Sequence, residues 1–201
     1  MGTTNTSGMH RAKLWQIGGF AFNNTATNLY MFMMNFIAYY LTGYVGVGVV
    51  VASTLITTMR IWDGVTDPFI GYLVDKTNTK FGKNRPFMVI GNVILAVASF
   101  ILLHVTHLLP QGARFIFFVL IYMIYIIGYT FQCVVTKSAQ SCLTNDPRQR
   151  PLFSIFDGVY NTLVFAVLPI FISGYLVPKH GGFNAAFFHE IWCYVAAVSA
   201  I

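Results

Sequence analysis

Six long apolar runs restrict what this sequence can fold into. They cover residues 14–42, 45–74, 86–108, 114–141, 151–177 and 184–201. A helix needs about 20 apolar residues to cross the hydrocarbon core of a bilayer, and the runs are close to that length or longer. Short segments containing Gly, Pro or Asn separate them, as turns between helices require. The pattern predicts an all-α membrane protein with six transmembrane helices.

The scarcity of charged residues excludes a soluble domain. Only 9% of the residues are charged and 56% are hydrophobic, whereas a soluble domain carries about 25% charged residues. The net charge of +6 comes from the N-terminal tail and short loops rather than from a basic stripe with interleaved aromatic residues. Nucleic acid is therefore not a predicted partner. Cys133, Cys142 and Cys193 form no CxxC pair, and we interpret them as packing residues.

The distribution of Lys and Arg predicts how the helices are oriented. Eight lie in the N-terminal tail or in the loops after the second and fourth runs, and two lie on the opposite side. The eight are Arg11, Lys13, Lys76, Lys80, Lys83, Arg85, Arg148 and Arg150, and the two are Arg114 and Lys179. Because cytoplasmic loops carry the excess of Lys and Arg, we predict a multi-pass protein of the cell membrane. Residues 1–13 form its cytoplasmic tail, and residues 14–201 form its transmembrane bundle.

Three ionisable residues, Arg60, Asp63 and Asp67, interrupt the second apolar run. The two aspartates are four residues apart, so they share one helix face, with Thr66 beside them. Each charge at the centre of a span costs about 2.5–3.5 kcal/mol on the insertion scale, so this face must turn towards the bundle interior or an aqueous cavity.

Two interpretations of this charged face stay open. An ion pair between Arg60 and Asp63 would only fix helices together, and it accounts for one carboxylate. The second carboxylate, one turn away, favours a site for a cation or a proton. An intramembrane aspartyl protease does not fit, because its two carboxylates share a proton at close range and come from different helices. The sequence contains no nucleophile–base or metal constellation, so we predict no enzymatic activity.

A basic loop after the second run has a recognisable pattern. It reads G-Y-L-V-D-K-T-N-T-K-F-G-K-N-R-P, and its spacing resembles the second-to-third loop signature of major facilitator transporters. Small residues allow close helix approach and tight turns, and an acidic side chain can pair with the basic ones. We predict structural or gating roles here for Arg60, Gly71, Asp75, Gly82, Lys83 and Arg85.

A second motif, R-I-W-D-G-V-T-D-P, narrows the resemblance. It resembles the helix II motif of the glycoside–pentoside–hexuronide:cation symporters, the melibiose permease-like family. The similarity extends to G-G-F-A-F-N-N, Y-T-F-Q and T-N-D-P-R-Q-R. It implies the N-terminal half of a twelve-helix fold, with a C-terminal six-helix half and the lipid bilayer as partners. The last run reaches Ile201 without a basic flank, which also favours part of a longer protein over a complete six-helix protein.

The resemblance implies symport of a sugar, glycoside or hexuronide with a cation, by alternating access. Asp63 and Asp67 match the two carboxylates that bind the coupling cation, and Thr130 matches a threonine that completes the site. Thr66 stands where the family has an asparagine. These oxygen atoms suit Na⁺ and two carboxylates suit H⁺, so the coupling ion is one of the two. No other cofactor is predicted.

The sugar side departs from the family. Its helix IV aspartate and tryptophan fall on Cys133 and Lys137, and its helix V arginine falls on Gly158, so melibiose-type recognition does not transfer. The candidate substrate residues are Asn23, Asn24, Tyr30, Gln132, Lys137, Asp157 and Asn161. The tyrosine is a candidate for stacking on a sugar ring. Lys137 either forms a bridge with Asp157 or binds an acidic group such as a uronate.

A different class of function also fits a helical membrane bundle. A passive channel or pore-forming protein would conduct without saturating. It would not accumulate a solute against its gradient, which is the property that separates it from a symporter.

Overall fold

In the computed structural model, which describes residues 11–77, 84–144 and 146–199, all regular secondary structure is helical. Within those ranges lie six long helices: α1 Leu14–Met34, α2 Val49–Lys76, α3 Arg85–His104, α4 Gln111–Leu143, α5 Arg150–Phe171 and α6 Ala185–Ser199. The all-α prediction is confirmed for these residues.

Three stretches of the described chain are long and apolar enough to cross a membrane, and they contain α3, α4 and α5. They are Arg85–Leu108, Gln111–Gln140 and Pro147–His180, and α6 is a shorter apolar helix. The first two helices are not among them. Asparagine residues lower the mean hydropathy of α1, and the three ionisable residues lower that of α2. Six membrane crossings therefore stay a prediction.

The helices α1 and α5 both extend past their last α-helical residue. After α1, Ile37–Tyr40 leads into a π turn at Leu41–Val45, and after α5 a π turn at Ile172–Leu176 leads into Val177–His180. Each extension ends at a glycine with positive φ, Gly46 at 79° and Gly181 at 67°. A glycine adopts this left-handed conformation without the steric cost that a Cβ would add.

The helices α2 and α5 lie at the edge of the bundle, because in the described chain each packs extensively on only one other long helix. The most extensive contacts join α3 to α4, α1 to α5 and α2 to α4, while α6 packs on α1 and α3. The main core lies chiefly among α1, α3, α4 and α6, and its fully buried side chains include Tyr30, Tyr40, Phe118 and Phe187. One face of α5 stays uncovered, with Ile155, Val159, Leu163, Val167 and Ile170 all exposed.

A close helix contact lies where α3 crosses α4, at Gly91 and Gly128. A Cβ atom on Gly128 would lie 2.7 Å from Cγ2 of Ile94 and 3.1 Å from the backbone nitrogen of Leu95. A Cβ atom on Gly91 would lie 3.2 Å from the carbonyl oxygen of Gly128. Small residues at such a crossing let two backbones approach closely.

We expect Gly128→Ala to destabilise the bundle by about 1–3 kcal/mol, because the added methyl forces α3 and α4 apart. Thermal unfolding in detergent measures the effect. Gly112→Ala is the matched control, since among the described residues no atom lies within 4 Å of its added Cβ. Equal unfolding temperatures for the two variants would contradict this account of the crossing.

At one end of the bundle, the N-terminal tail docks on the loop between α4 and α5. Nε of Arg11 donates to Asp146 at 2.6 Å. The Ala12 N–H donates to Oε1 of Gln149 at 2.9 Å, and Nε2 of Gln149 donates back to the Ala12 carbonyl at 3.0 Å. The Asp146 carboxylate also accepts the Arg148 backbone N–H. This hydrogen bond and the Arg11 contact hold the pKa of Asp146 below its ordinary value.

Candidate cation and substrate sites

Three of the predicted cation residues meet where α2 packs on α4. Oγ1 of Thr130 donates to Oδ1 of Asp63 at 3.1 Å. Oγ1 of Thr66 lies 3.4 Å from Oγ1 of Thr130 and donates to the Asp63 carbonyl oxygen at 2.9 Å. Both threonines are buried and Asp63 is half-buried. The contact brings together one carboxylate and two hydroxyls, which are oxygen ligands of the kind that hard cations bind.

Asp67 follows Asp63 by one turn but does not join this contact. Its side chain is exposed. No hydrogen bond or ion pair of Asp67 occurs in the part of the chain that the structure describes. The four-residue spacing predicted that the two aspartates act together on one helix face. In the structure Thr130 holds the carboxylate of Asp63, whereas the carboxylate of Asp67 lies at the protein surface.

Arg60 does not pair with Asp63. The guanidinium is exposed, and no salt bridge joins these two side chains within the described ranges. The interpretation of Arg60 and Asp63 as an ion pair that only fixes helices together is therefore not supported. The hydrogen-bond partner of the Asp63 carboxylate in the described chain is instead a neutral group, the Thr130 hydroxyl.

Asp63 borders a cavity of about 150 Å³ between α1, α2 and α4, which we call the Asp63 cavity. Its polar lining comes from Asn35, Arg60, Asp63, Tyr122, Tyr125 and Tyr129. The cavity places polar side chains from two further helices beside the candidate cation ligand, an arrangement that sequence reasoning did not identify. The recurrence of tyrosine in α4 at spacings of three and four residues was the available signal.

A second cavity, of about 200 Å³ between α1, α4 and α5, contains the centre of the predicted substrate site. We call it the Lys137 cavity. Its lining includes Asn24, Cys133, Lys137 and Asp157. Substrate residues predicted on three different helices are thus brought together.

The bridge between Lys137 and Asp157, one of the two interpretations of these residues, does not form in the described chain. Oδ1 of Asp157 instead accepts a hydrogen bond from Nδ2 of Asn24 at 2.5 Å, and no salt bridge to Lys137 occurs in the described chain. The amide of Asn24 reaches Asp157 because α1 packs along α5. Lys137 is exposed at the cavity, where its ammonium is available to an acidic group.

A second polar contact between α1 and α5 includes a residue that sequence reasoning missed. Nδ2 of Asn28 donates to Oδ1 of Asn161 at 2.8 Å. Asn24 and Asn28 are four residues apart on α1, as Asp157 and Asn161 are on α5. The matched spacing was a usable signal, because residues four apart share a helix face. Asn161 is therefore engaged with α1.

Three other predicted substrate residues lie away from the Lys137 cavity. Tyr30 is fully buried, and its hydroxyl lies 2.8 Å from Oγ of Ser199 on α6, so its ring is not accessible for stacking on a sugar. Gln132 is 2% exposed, and its Nε2 donates to the Met88 carbonyl on α3 at 2.6 Å. Nδ2 of Asn23 is buried and has no partner within the described residues. The helical period places these side chains on faces that pack against neighbouring helices.

The predicted gating residues are only partly described. Asp75 is near the end of α2 and Arg85 is the first residue of α3, and both are exposed. Gly71 was predicted to allow close helix approach, but within the described chain no atom lies within 4 Å of its Cβ position. Gly82 and Lys83 lie outside the described residues.

The comparison that decides the family covers most of the chain. Residues 19–200 match a family of proteins described as MFS/sugar transport protein. The chain belongs to this family. The predicted resemblance to sugar symporters of the major facilitator type is thereby confirmed.

Curated relatives of this MFS/sugar transport chain are named as transporters. A glucuronide carrier protein homolog of Escherichia coli K12 is 26% identical over 196 residues, which are 96% of this chain and 42% of that protein. A putative glycoside/cation symporter of the same strain, YagG, is 29% identical over 133 residues, 66% of this chain and 29% of that protein. An isoprimeverose transporter of Lactiplantibacillus pentosus is 25% identical over 183 residues, 90% of this chain and 38% of that protein. The chain spans less than half the length of each of these relatives.

Proposed function

We propose that this chain is the N-terminal six-helix half of a cation-coupled sugar symporter that works by alternating access. The observation that carries the proposal is the contact of Asp63 with Thr130 at the border of a polar cavity. A charged carboxylate inside a membrane bundle is costly and marks an ion or substrate path. The relative named as a putative glycoside/cation symporter supports the same function.

The proposed cation site consists of Asp63, Thr66, Thr130 and, one turn away, Asp67. The coupling ion is Na⁺ or H⁺. The site contributes a carboxylate and two hydroxyls from this half, and a hard cation prefers several oxygen ligands. An approach of Asp67 or of groups from the C-terminal half would complete the coordination.

The proposed substrate site is the Lys137 cavity, with Asn24, Asp157 and Asn161 as polar residues from α1 and α5. Lys137 has no ion pair with Asp157 in the described chain, so its ammonium can bind the carboxylate of a uronic sugar. The relative named as a glucuronide carrier protein homolog is consistent with such a substrate. The proposal places the N-terminal tail in the cytoplasm. Because this tail docks on the loop between α4 and α5, the Lys137 cavity would lie in the cytoplasmic half of the membrane.

Uptake by the full-length protein in proteoliposomes tests the function. A panel of neutral and uronic glycosides would be offered under an inward Na⁺ gradient, under an inward H⁺ gradient and without a gradient. We expect at least one uronic glycoside to accumulate above its external concentration under one of the gradients. Equilibration without accumulation in every condition would favour a passive pore and refute symport.

A further inference from the structure

The two proposed ligand sites border different cavities. Asp63 lines the Asp63 cavity and not the Lys137 cavity, and for Lys137 and Asp157 the reverse holds. The boundary falls within one turn of α4, because Tyr129 lines the first cavity and Cys133 lines the second. A cation at Asp63 and a sugar at Lys137 would therefore occupy separate chambers of the same half.

A side-chain contact between α4 and α1 lies at this boundary. The Tyr129 hydroxyl donates to Sδ of Met31 at 3.2 Å, and both residues line the Asp63 cavity. Asn24 precedes Met31 by seven residues on α1, which corresponds to roughly 10 Å along the helix axis. Asn24 and Lys137 border the Lys137 cavity on the far side of this contact.

The Asp63 cavity has the properties of a hydrated space. Tyr125 is only 4% exposed, and its buried hydroxyl has no hydrogen-bond partner among the described residues. Buried hydroxyls pair with protein groups or ordered water. A cavity needs about 10–15 Å³ for one water molecule, and this one measures about 150 Å³ and contains the charged groups of Arg60 and Asp63.

We propose that the Asp63 cavity is a hydrated access chamber for the coupling cation, closed towards the Lys137 cavity by the contact of Tyr129 with Met31. This inference rests on the proposed role of Asp63 in cation binding. Water in the chamber would carry the cation to the Asp63 carboxylate without passing through the Lys137 cavity. Tyr129 is then a positioning residue: its ring and the Met31 side chain form an apolar barrier of the kind that blocks ions by excluding water.

Cation flux through the full-length protein in proteoliposomes, measured without sugar, tests the barrier. Tyr129→Ala and Met31→Ala each remove one side of it, so we expect sugar-independent cation flux to rise about tenfold or more above that of the parent protein. Ile124→Ala is the matched control, a large-to-small change on the same helix at an exposed side chain that lines neither the Asp63 cavity nor the Lys137 cavity. Its flux should stay near that of the parent protein.

The outcomes separate this inference from the proposed function. If the parent protein shows no cation-dependent uptake, the symporter proposal fails. If the parent protein is coupled but neither Tyr129→Ala nor Met31→Ala raises the flux, only the barrier is refuted. An equal rise in Ile124→Ala would also refute it, since the leak would then reflect general loosening of the bundle. Met31 is less buried than Tyr30 or Phe32 beside it, so Met31→Ala decides the question if Tyr129→Ala does not fold.

Discussion

Asp63→Asn is expected to abolish cation-dependent uptake by the full-length protein while its fold is retained. The asparagine side chain has the size of aspartate, and its carbonyl oxygen can still accept the Thr130 hydrogen bond. What it loses is the negative charge. At 4 Å and an effective dielectric constant of 20, one unit charge contributes about 4 kcal/mol to a cation's binding. We therefore expect cation affinity to fall by about a hundredfold to a thousandfold.

Cation-dependent uptake and the cation-induced rise in unfolding temperature both measure this loss. Glu190→Gln is the matched control, a carboxyl-to-amide change on α6. Its carboxylate accepts hydrogen bonds from Lys179 and His180, far along the chain from the proposed sites. We expect its uptake to stay near that of the parent protein. Unchanged cation dependence in Asp63→Asn would remove the basis of the proposed cation site.

The same variant distinguishes the two candidate ions. An asparagine resembles a protonated aspartate. If the coupling ion is H⁺, Asp63→Asn should exchange sugar across the membrane without accumulating it. If the ion is Na⁺, sugar affinity should instead lose its dependence on Na⁺ concentration. Exchange assays at equal sugar concentrations on both sides of the membrane separate these results.

Lys137→Ala is expected to abolish accumulation of uronic glycosides while cation binding survives. The Asp157 carboxylate is held by Asn24 rather than by Lys137, so removal of the ammonium leaves no partner of opposite charge behind. A hydrogen bond to a charged group contributes about 1.5–3 kcal/mol, so substrate affinity should fall roughly 10- to 150-fold. Direct binding of a uronic glycoside and cation-induced thermal shifts measure the two properties separately.

Two controls sharpen the Lys137 test. Lys137→Arg keeps the positive charge and should retain much of the affinity for uronic sugars. Lys179→Ala removes a lysine from the helical extension that follows α5, where it pairs with Glu190, and should leave uptake unchanged. If Lys137→Ala loses cation binding but keeps substrate binding, the residue belongs to the other site.

The helices themselves could be predicted from the sequence, because their apolar runs are long and their turns contain Gly, Pro or Asn. The first run begins at residue 14, where α1 also begins. Hydrophobicity does not reveal which face of each helix is buried, since the spans are apolar almost all round. Tyr30 illustrates this: an aromatic residue in the first span fits a sugar site and a core equally well, and packing against α6 places it in the core.

The candidate residues of the two sites could be named from the sequence where local spacing or family resemblance pointed to them. Four-residue spacing placed Asp63 and Asp67 on neighbouring turns, but only the rotation of α2 against α4 decides that Asp63 alone meets Thr130. The bridge between Lys137 and Asp157, one of two interpretations of the sequence, is absent from the described chain for the same reason. Opposite charges suggest a pair, but the packing of α1 along α5 gives Asp157 a neutral partner in Asn24.

The docked tail has a practical consequence for spectroscopy. Gln149, which holds the Ala12 backbone, precedes Ser154 of the Lys137 cavity by five residues, or about 8 Å along α5. Lys13 is exposed and lies next to the docked residues. A fluorescent or spin label attached there would sit a short, fixed distance from the mouth of that cavity. The tail thus offers an attachment point outside the helical segments for testing whether substrate reaches the proposed site.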